Sequence, residues 1–210
     1  MAPENRAILF FLFLTFGLTW SLNLFLLMSG GLNVTALQIQ MLIPATCAMI
    51  TITLVTKERI RNFGIRLGRI KYYAWAFLIP IAVNGSAYLI THILGLAELD
   101  PSMPGLAPLL ENAPIPVEQL IPIILIQGLF LGPLIGLPLT FGEEFGWRAF
   151  LLPKLLPLGR GKAIILHGVI WGIWHAPVIA MGYNYPGYPL IGPILMVVST
   201  IFLGTFLGWI

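Results

Sequence analysis

Long apolar runs alternate with short polar or breaker-rich turns along the chain, at a spacing that suits helices crossing a bilayer. Residues 7–28 carry no charged side chain. About 20 consecutive apolar residues span the hydrocarbon core as a helix, so this run predicts a first transmembrane helix. An uncharged turn, Ser29 to Asn33, leads to a second span at about 36–56. Pro44 lies inside it, and its missing N–H predicts a kink there. A third span is expected at about 72–96. A fourth starts near Val117 and runs towards Thr140, interrupted by Gly128, Gly132, Pro133, Gly136 and Pro138. A charged segment continues it and stops around Pro153 to Pro157. A fifth span follows at about 163–181 and a sixth at about 190–210. The runs do not alternate as barrel strands would. The pattern therefore predicts an all-α, polytopic transmembrane helical bundle of about six helices, with residues 1–210 as a single transmembrane domain.

Composition agrees. The chain is 58% hydrophobic and 9% charged, with a mean hydropathy of +0.94, against about 25% charged in an average soluble domain. The N-terminal run is too long and too aromatic for a signal peptide, and no small-x-small cleavage site follows, so it is read as a retained span. All eleven lysines and arginines fall in the N-terminus, the 57–71 loop or the 148–162 segment. With six spans these three places share one side, and the positive-inside rule makes that side, and the N-terminus, cytoplasmic. The acidic loop with Glu98, Asp100, Glu111 and Glu118, and the turn from Tyr183 to Pro189, are then outside. The pI near 9.2 reflects topology rather than nucleic acid. The partner implied is the lipid bilayer. The lone cysteine, Cys47, offers neither an intramolecular disulfide nor a metal cluster.

Chemistry is concentrated in two places. Glu143 and Glu144 are two of only eight acidic residues, and Arg148 follows four residues after Glu144. On an α-helix Glu144 and Arg148 share a face and suit an ion pair. Glu143 is then turned about 100° away and is free to face a cavity. The glycines around 128–146 suit close helix packing in lipid. The second place is the fifth span, His167-Gly-Val-Ile-Trp171-Gly-Ile-Trp174-His175-Ala-Pro177. His175 sits roughly 20 Å along that helix from Lys162. Ionisable groups at such depth mark functional sites by default. His167, eight residues earlier, is read as a packing or supporting group, and His92 of the third span as interfacial. A carboxylate and an imidazole make a water-activating pair. Glu143 and His175 are equally a candidate zinc pair, one ligand short of a catalytic zinc site.

The six residues Glu143-Glu144-Phe145-Gly146-Trp147-Arg148 match the EExxxR motif of the CPBP family, the CAAX proteases and bacteriocin-processing enzymes also called Abi proteins. Trp171 to Pro177 resembles that family's second motif, an aromatic residue four before a histidine. The resemblance covers about residues 120–210. It implies a type II CAAX endopeptidase-like intramembrane protease, with its site in a cavity open to the cytoplasm. Glu143 would activate the attacking water, His175 would help bind the water or a metal such as zinc, and Glu144 and Arg148 would buttress the site. The substrate implied is a peptide or lipidated protein. The family carries a further histidine motif on a later helix, and no histidine follows His175 here. The expectation is that this motif lies beyond residue 210 and that residues 1–210 alone are inactive. Two other classes compete: a non-catalytic immunity or scaffold protein of the same ancestry, and a small transporter using Glu143, Glu144 and His175 as a proton relay. Glycine–proline breaks occur only in the fourth span, where a transporter would show them in matching halves.

Overall fold

The computed structural model describes residues 3–64, 67–96, 98 and 117–208, which form helices joined by turns, with no strand among them. Helix α1 spans Pro3–Met28, α2 Val34–Thr51, α3 Ile70–Ile93, α4 Val117–Ile126, α5 Gly132–Glu144, α6 Leu152–Leu155, α7 Arg160–Trp174, α8 Ala176–Ala180 and α9 Gly192–Leu207. Asn33 starts α2 as an N-cap, its side-chain oxygen accepting the Ala36 N–H at 3.1 Å. Among the described residues, four helical stretches are long and apolar enough to cross a membrane: Glu4–Met28, Val34–Thr56, Ile70–Ile93 and Pro122–Leu158. The protein is an integral membrane protein.

The last two expected spans take a different form. The fifth is broken at His175, where the backbone (φ −79°, ψ −12°) separates the 15-residue α7 from the five-residue α8. Pro177 accounts for the break, because it has no N–H to give to the Ile173 carbonyl. The sixth is the 16-residue α9. Trp209 and Ile210 lie outside the described residues, as do Asp100 and Glu111 of the expected acidic loop.

The segment around the two glutamates is not a plain α-helix either. Residues Phe145–Leu151 form a π-helical stretch, in which the Leu152 N–H reaches back five residues to the Trp147 carbonyl. Gln127–Leu131 is π-helical in the same way, with the Gly132 N–H on the Gln127 carbonyl. Each stretch ends two residues before a proline, Pro153 or Pro133. A proline ring clashes with the carbonyl four residues back, here Ala149 or Leu129, and a wider turn relieves that clash.

The chain divides into two compact units, Arg66–Ile135 on the one hand and Met1–Ile65 with Gly136–Ile210 on the other. Within the smaller unit, Phe77 of α3 and Phe130 have ring centroids 5.7 Å apart. The larger unit holds both glutamates and both fifth-span histidines. Its helices approach closely at glycines. A Cβ on Gly142 would lie 3.1 Å from the Met41 carbonyl oxygen, and one on Gly146 would collide with Pro44, so α2 lies directly against the glutamate segment. Gly168 and Gly172 admit α9 in the same way, against Ile201 and Val197. Gly128 and Gly136 have open space around them, so the close-packing role expected for this run belongs to Gly142 and Gly146. An aromatic core then forms around the π-helical stretch. Phe11 packs on Trp147 and Phe150 at 5.6 and 4.9 Å, Phe63 on Phe150 at 5.9 Å, and Trp147 on Trp174 at 5.6 Å between centroids.

Candidate active site

Trp171 sits at the centre of the polar cluster. Its indole N–H donates to Glu143 Oε1 at 2.6 Å. Its ring face carries the Arg148 guanidinium, with the central carbon 3.9 Å from the centroid, a cation–π arrangement. Its backbone carbonyl, one helical turn before His175, pairs with His175 Nδ1 at 2.9 Å. A carbonyl can only accept, so the proton is assigned to Nδ1 and the lone pair to Nε2. That Nε2 lies 3.8 Å from Glu143 Oε1, beyond direct hydrogen-bonding reach. Trp174 adds an edge contact to the His175 ring, 4.7 Å between centroids. One tryptophan thus orients the carboxylate and the imidazole together.

The second carboxylate turns elsewhere. Arg148 Nη1 donates to Glu144 Oε1, four residues apart on one face. Glu143 and His175 line a cavity of about 450 Å³ together with Gln40 and Tyr183. Glu144 and Arg148 line another of about 630 Å³ with Glu58, Phe63 and Lys154. The first cavity lies by the opening turns of α2 and the turn after α8. The second lies by the basic 57–71 loop, which starts beyond the far end of α2. A cavity open on the basic-loop side is what the resemblance implies for the Glu143 site, and the arrangement differs on that point. At the basic-loop end, Lys154 Nζ donates to Glu58 Oε1 at 2.8 Å and holds that carboxyl below the usual carboxylate range.

The fit to zinc is poor. Glu143 and His175 are two candidate ligands, and no group of three His, Cys, Asp or Glu suited to a metal occurs among the described residues. Catalytic zinc takes three protein ligands. Glu143 Oε1 is already engaged by Trp171. No step below is routed through a metal.

His167 is 1% exposed, and neither ring nitrogen has a hydrogen-bond partner among the described residues. Its ring stands 6.2 Å from that of Trp171, behind the cluster and away from the cavity. His92 is exposed on α3. Sequence reasoning overlooked the polar stripe Thr15, Thr19 and Asn23 of α1, all buried. Its spacing of four was the available signal. Thr19 accepts the Trp174 N–H at 2.9 Å, and Trp20 donates to the Trp174 carbonyl at 3.3 Å, so α1 fixes the helix end that bears His175. Gln40 was overlooked as well, since a lone glutamine in an apolar run carries no motif.

Residues 118–210 match the model of a protein family described as type II CAAX prenyl endopeptidase Rce1-like. Both motifs fall within that stretch. No curated protein and no solved structure matches the chain.

Proposed function

From the match of residues 118–210 to the model of the Rce1-like type II CAAX prenyl endopeptidase family, we propose that this protein is an intramembrane endopeptidase that hydrolyses a peptide bond with a water activated by Glu143 and His175. The observation that carries the reading is the 3.8 Å gap between Glu143 Oε1 and His175 Nε2, two acceptors facing one cavity. A water placed there can donate one proton to each and turn its lone pairs outward. Glu143 takes a proton as the water oxygen attacks the substrate carbonyl carbon, giving a tetrahedral oxyanion. As the C–N bond breaks, the same proton passes to the leaving amine. His175 orients the water, and its Nδ1 proton stays on the Trp171 carbonyl. Trp171 positions both groups, and the Glu144–Arg148 pair supports Trp171 from behind. The substrate is a membrane-associated peptide or lipidated protein that reaches the cavity within the bilayer. The N-terminus is cytoplasmic by the segregation of basic residues.

The histidines provide the test. In a chain that also carries the later histidine motif, His175→Ala abolishes cleavage of a peptide substrate in proteoliposomes, whereas His167→Ala, whose ring does not face the cavity, leaves cleavage within about tenfold of wild type. Equal loss in both variants overturns the assignment of His175.

A further inference from the structure

The break at His175 leaves its main chain loosely tied. Pro177 gives no N–H to the Ile173 carbonyl, and the His175 N–H bends to the Gly172 carbonyl three residues back, at 3.1 Å. The helix alone therefore does not set where the imidazole stands. Yet Nε2 has to share a water with Glu143 across 3.8 Å, and a misplacement of about 1 Å near reacting groups can cost about 100-fold in rate.

A hold from outside α7 comes through Trp174. Its side chain is buried, and the indole N–H donates to Thr19 Oγ1 of α1 at 2.9 Å. Its backbone carbonyl accepts the Trp20 N–H at 3.3 Å. Two adjacent residues of α1 thus grip Trp174 by side chain and by main chain. The Trp174 ring in turn stands edge-on to the His175 ring, with centroids 4.7 Å apart and 80° between the planes. The other constraint on the imidazole is Trp171, through its carbonyl on Nδ1 at 2.9 Å and its ring at 5.9 Å. Loss of the Thr19 acceptor leaves a buried indole N–H without a partner, which drives the Trp174 ring from its place. The His175 ring then loses the wall that Trp174 gives it.

We propose that Thr19 is a positioning residue for the hydrolysis above. Its hydroxyl oxygen holds the Trp174 indole, and that indole keeps the His175 ring in the one orientation that turns Nε2 towards the water. The proposal rests on the endopeptidase reading. Thr19 lies outside residues 118–210, the stretch matched to the family model, so the reaction draws on α1 as well as on the two motifs.

The experiment compares wild type with Thr19→Val, Thr19→Ser and Thr19→Ala. Valine keeps the shape and removes the acceptor, and serine keeps the acceptor. Nitrogen-15 spectra of residues 1–210 labelled at histidine report the tautomer of His175, whose signals are identified by their loss in His175→Ala. Wild type and Thr19→Ser are expected to show one tautomer with the proton on Nδ1, and Thr19→Val a mixture of two. Kinetics are read in a chain that also carries the later histidine motif, on quenched fluorescent peptides in proteoliposomes, with kcat taken per folded molecule. A merely structural Thr19 leaves that quantity unchanged. The kcat of Thr19→Val is expected to fall about threefold to tenfold, as for one hydrogen bond, with KM within about threefold and Thr19→Ser within about twofold of wild type. A single tautomer in Thr19→Val overturns the hold on His175. A mixed tautomer beside a kcat within twofold of wild type overturns the positioning role. Failure of Thr19→Val and Thr19→Ala to fold, where Thr19→Ser folds, makes Thr19 structural and overturns it too. Cleavage by Glu143→Ala in the longer chain overturns the endopeptidase reading instead, and the spectra still decide whether Thr19 holds His175.

Discussion

At the scale of single residues, one indole holds the whole cluster, and its three contacts separate cleanly by substitution. Trp171→Phe keeps a ring beneath Arg148 and the backbone carbonyl on His175, and removes only the N–H on Glu143. A hydrogen bond to a charged group contributes about 1.5–3 kcal/mol, and each 1.4 kcal/mol is tenfold in rate. The kcat of Trp171→Phe is therefore expected to fall about 10–100-fold without loss of fold by circular dichroism, and an unchanged kcat removes Trp171 from the positioning role. The Glu144–Arg148 pair was legible in the sequence because a spacing of four is a local matter. The bond from Trp171 to Glu143 was not, because it joins residues 28 apart on different helices. Nothing in either sequence neighbourhood reports that distance.

At the scale of helices, close approach is the controlling quantity, and glycines of one short region differ sharply in what they allow. Gly146→Leu drives a side chain into Pro44 of α2 and is expected to destabilise by about 1–3 kcal/mol or more through overpacking. Gly136→Ala, with open space around it, is expected to be neutral or to stabilise by up to about 1 kcal/mol through helix propensity. Thermal unfolding in detergent reads both, and equal effects contradict the packing described. Spacing identified this region as a close-packing element without telling which glycines touch, since that depends on where Pro44 lies. The break at His175 was written in Pro177, four residues after the carbonyl it leaves unpaired. The break ends α7 at His175, whose side chain lines the cavity. The π-helical stretch after Glu144 was hidden, because a one-residue widening leaves hydrophobicity unchanged.

At the scale of the whole molecule, hydropathy alone was enough for the all-helical membrane class, and it did not report the break of the fifth span at His175. Side-selective labelling of single cysteines placed at Arg61 and Tyr188, in a Cys47→Ser background, is expected to mark opposite faces of the membrane. Labelling of both from one face contradicts the N-terminus-in orientation drawn from the eleven basic residues. Under that proposed orientation, the residues around the Glu143–His175 cavity at the start of α2 and after α8 lie on the side away from the basic loops, and peptides embedded in or crossing the bilayer are the substrates to try. The central claim is that Glu143 activates water for peptide hydrolysis, and the most direct measurement compares wild type with Glu143→Ala, both in a chain that carries the later histidine motif, in proteoliposomes on a library of quenched fluorescent peptides. Glu143→Ala is expected to retain the helical content and melting behaviour of wild type and to show no cleavage above background. Cleavage by Glu143→Ala at a rate within tenfold of wild type would contradict the account.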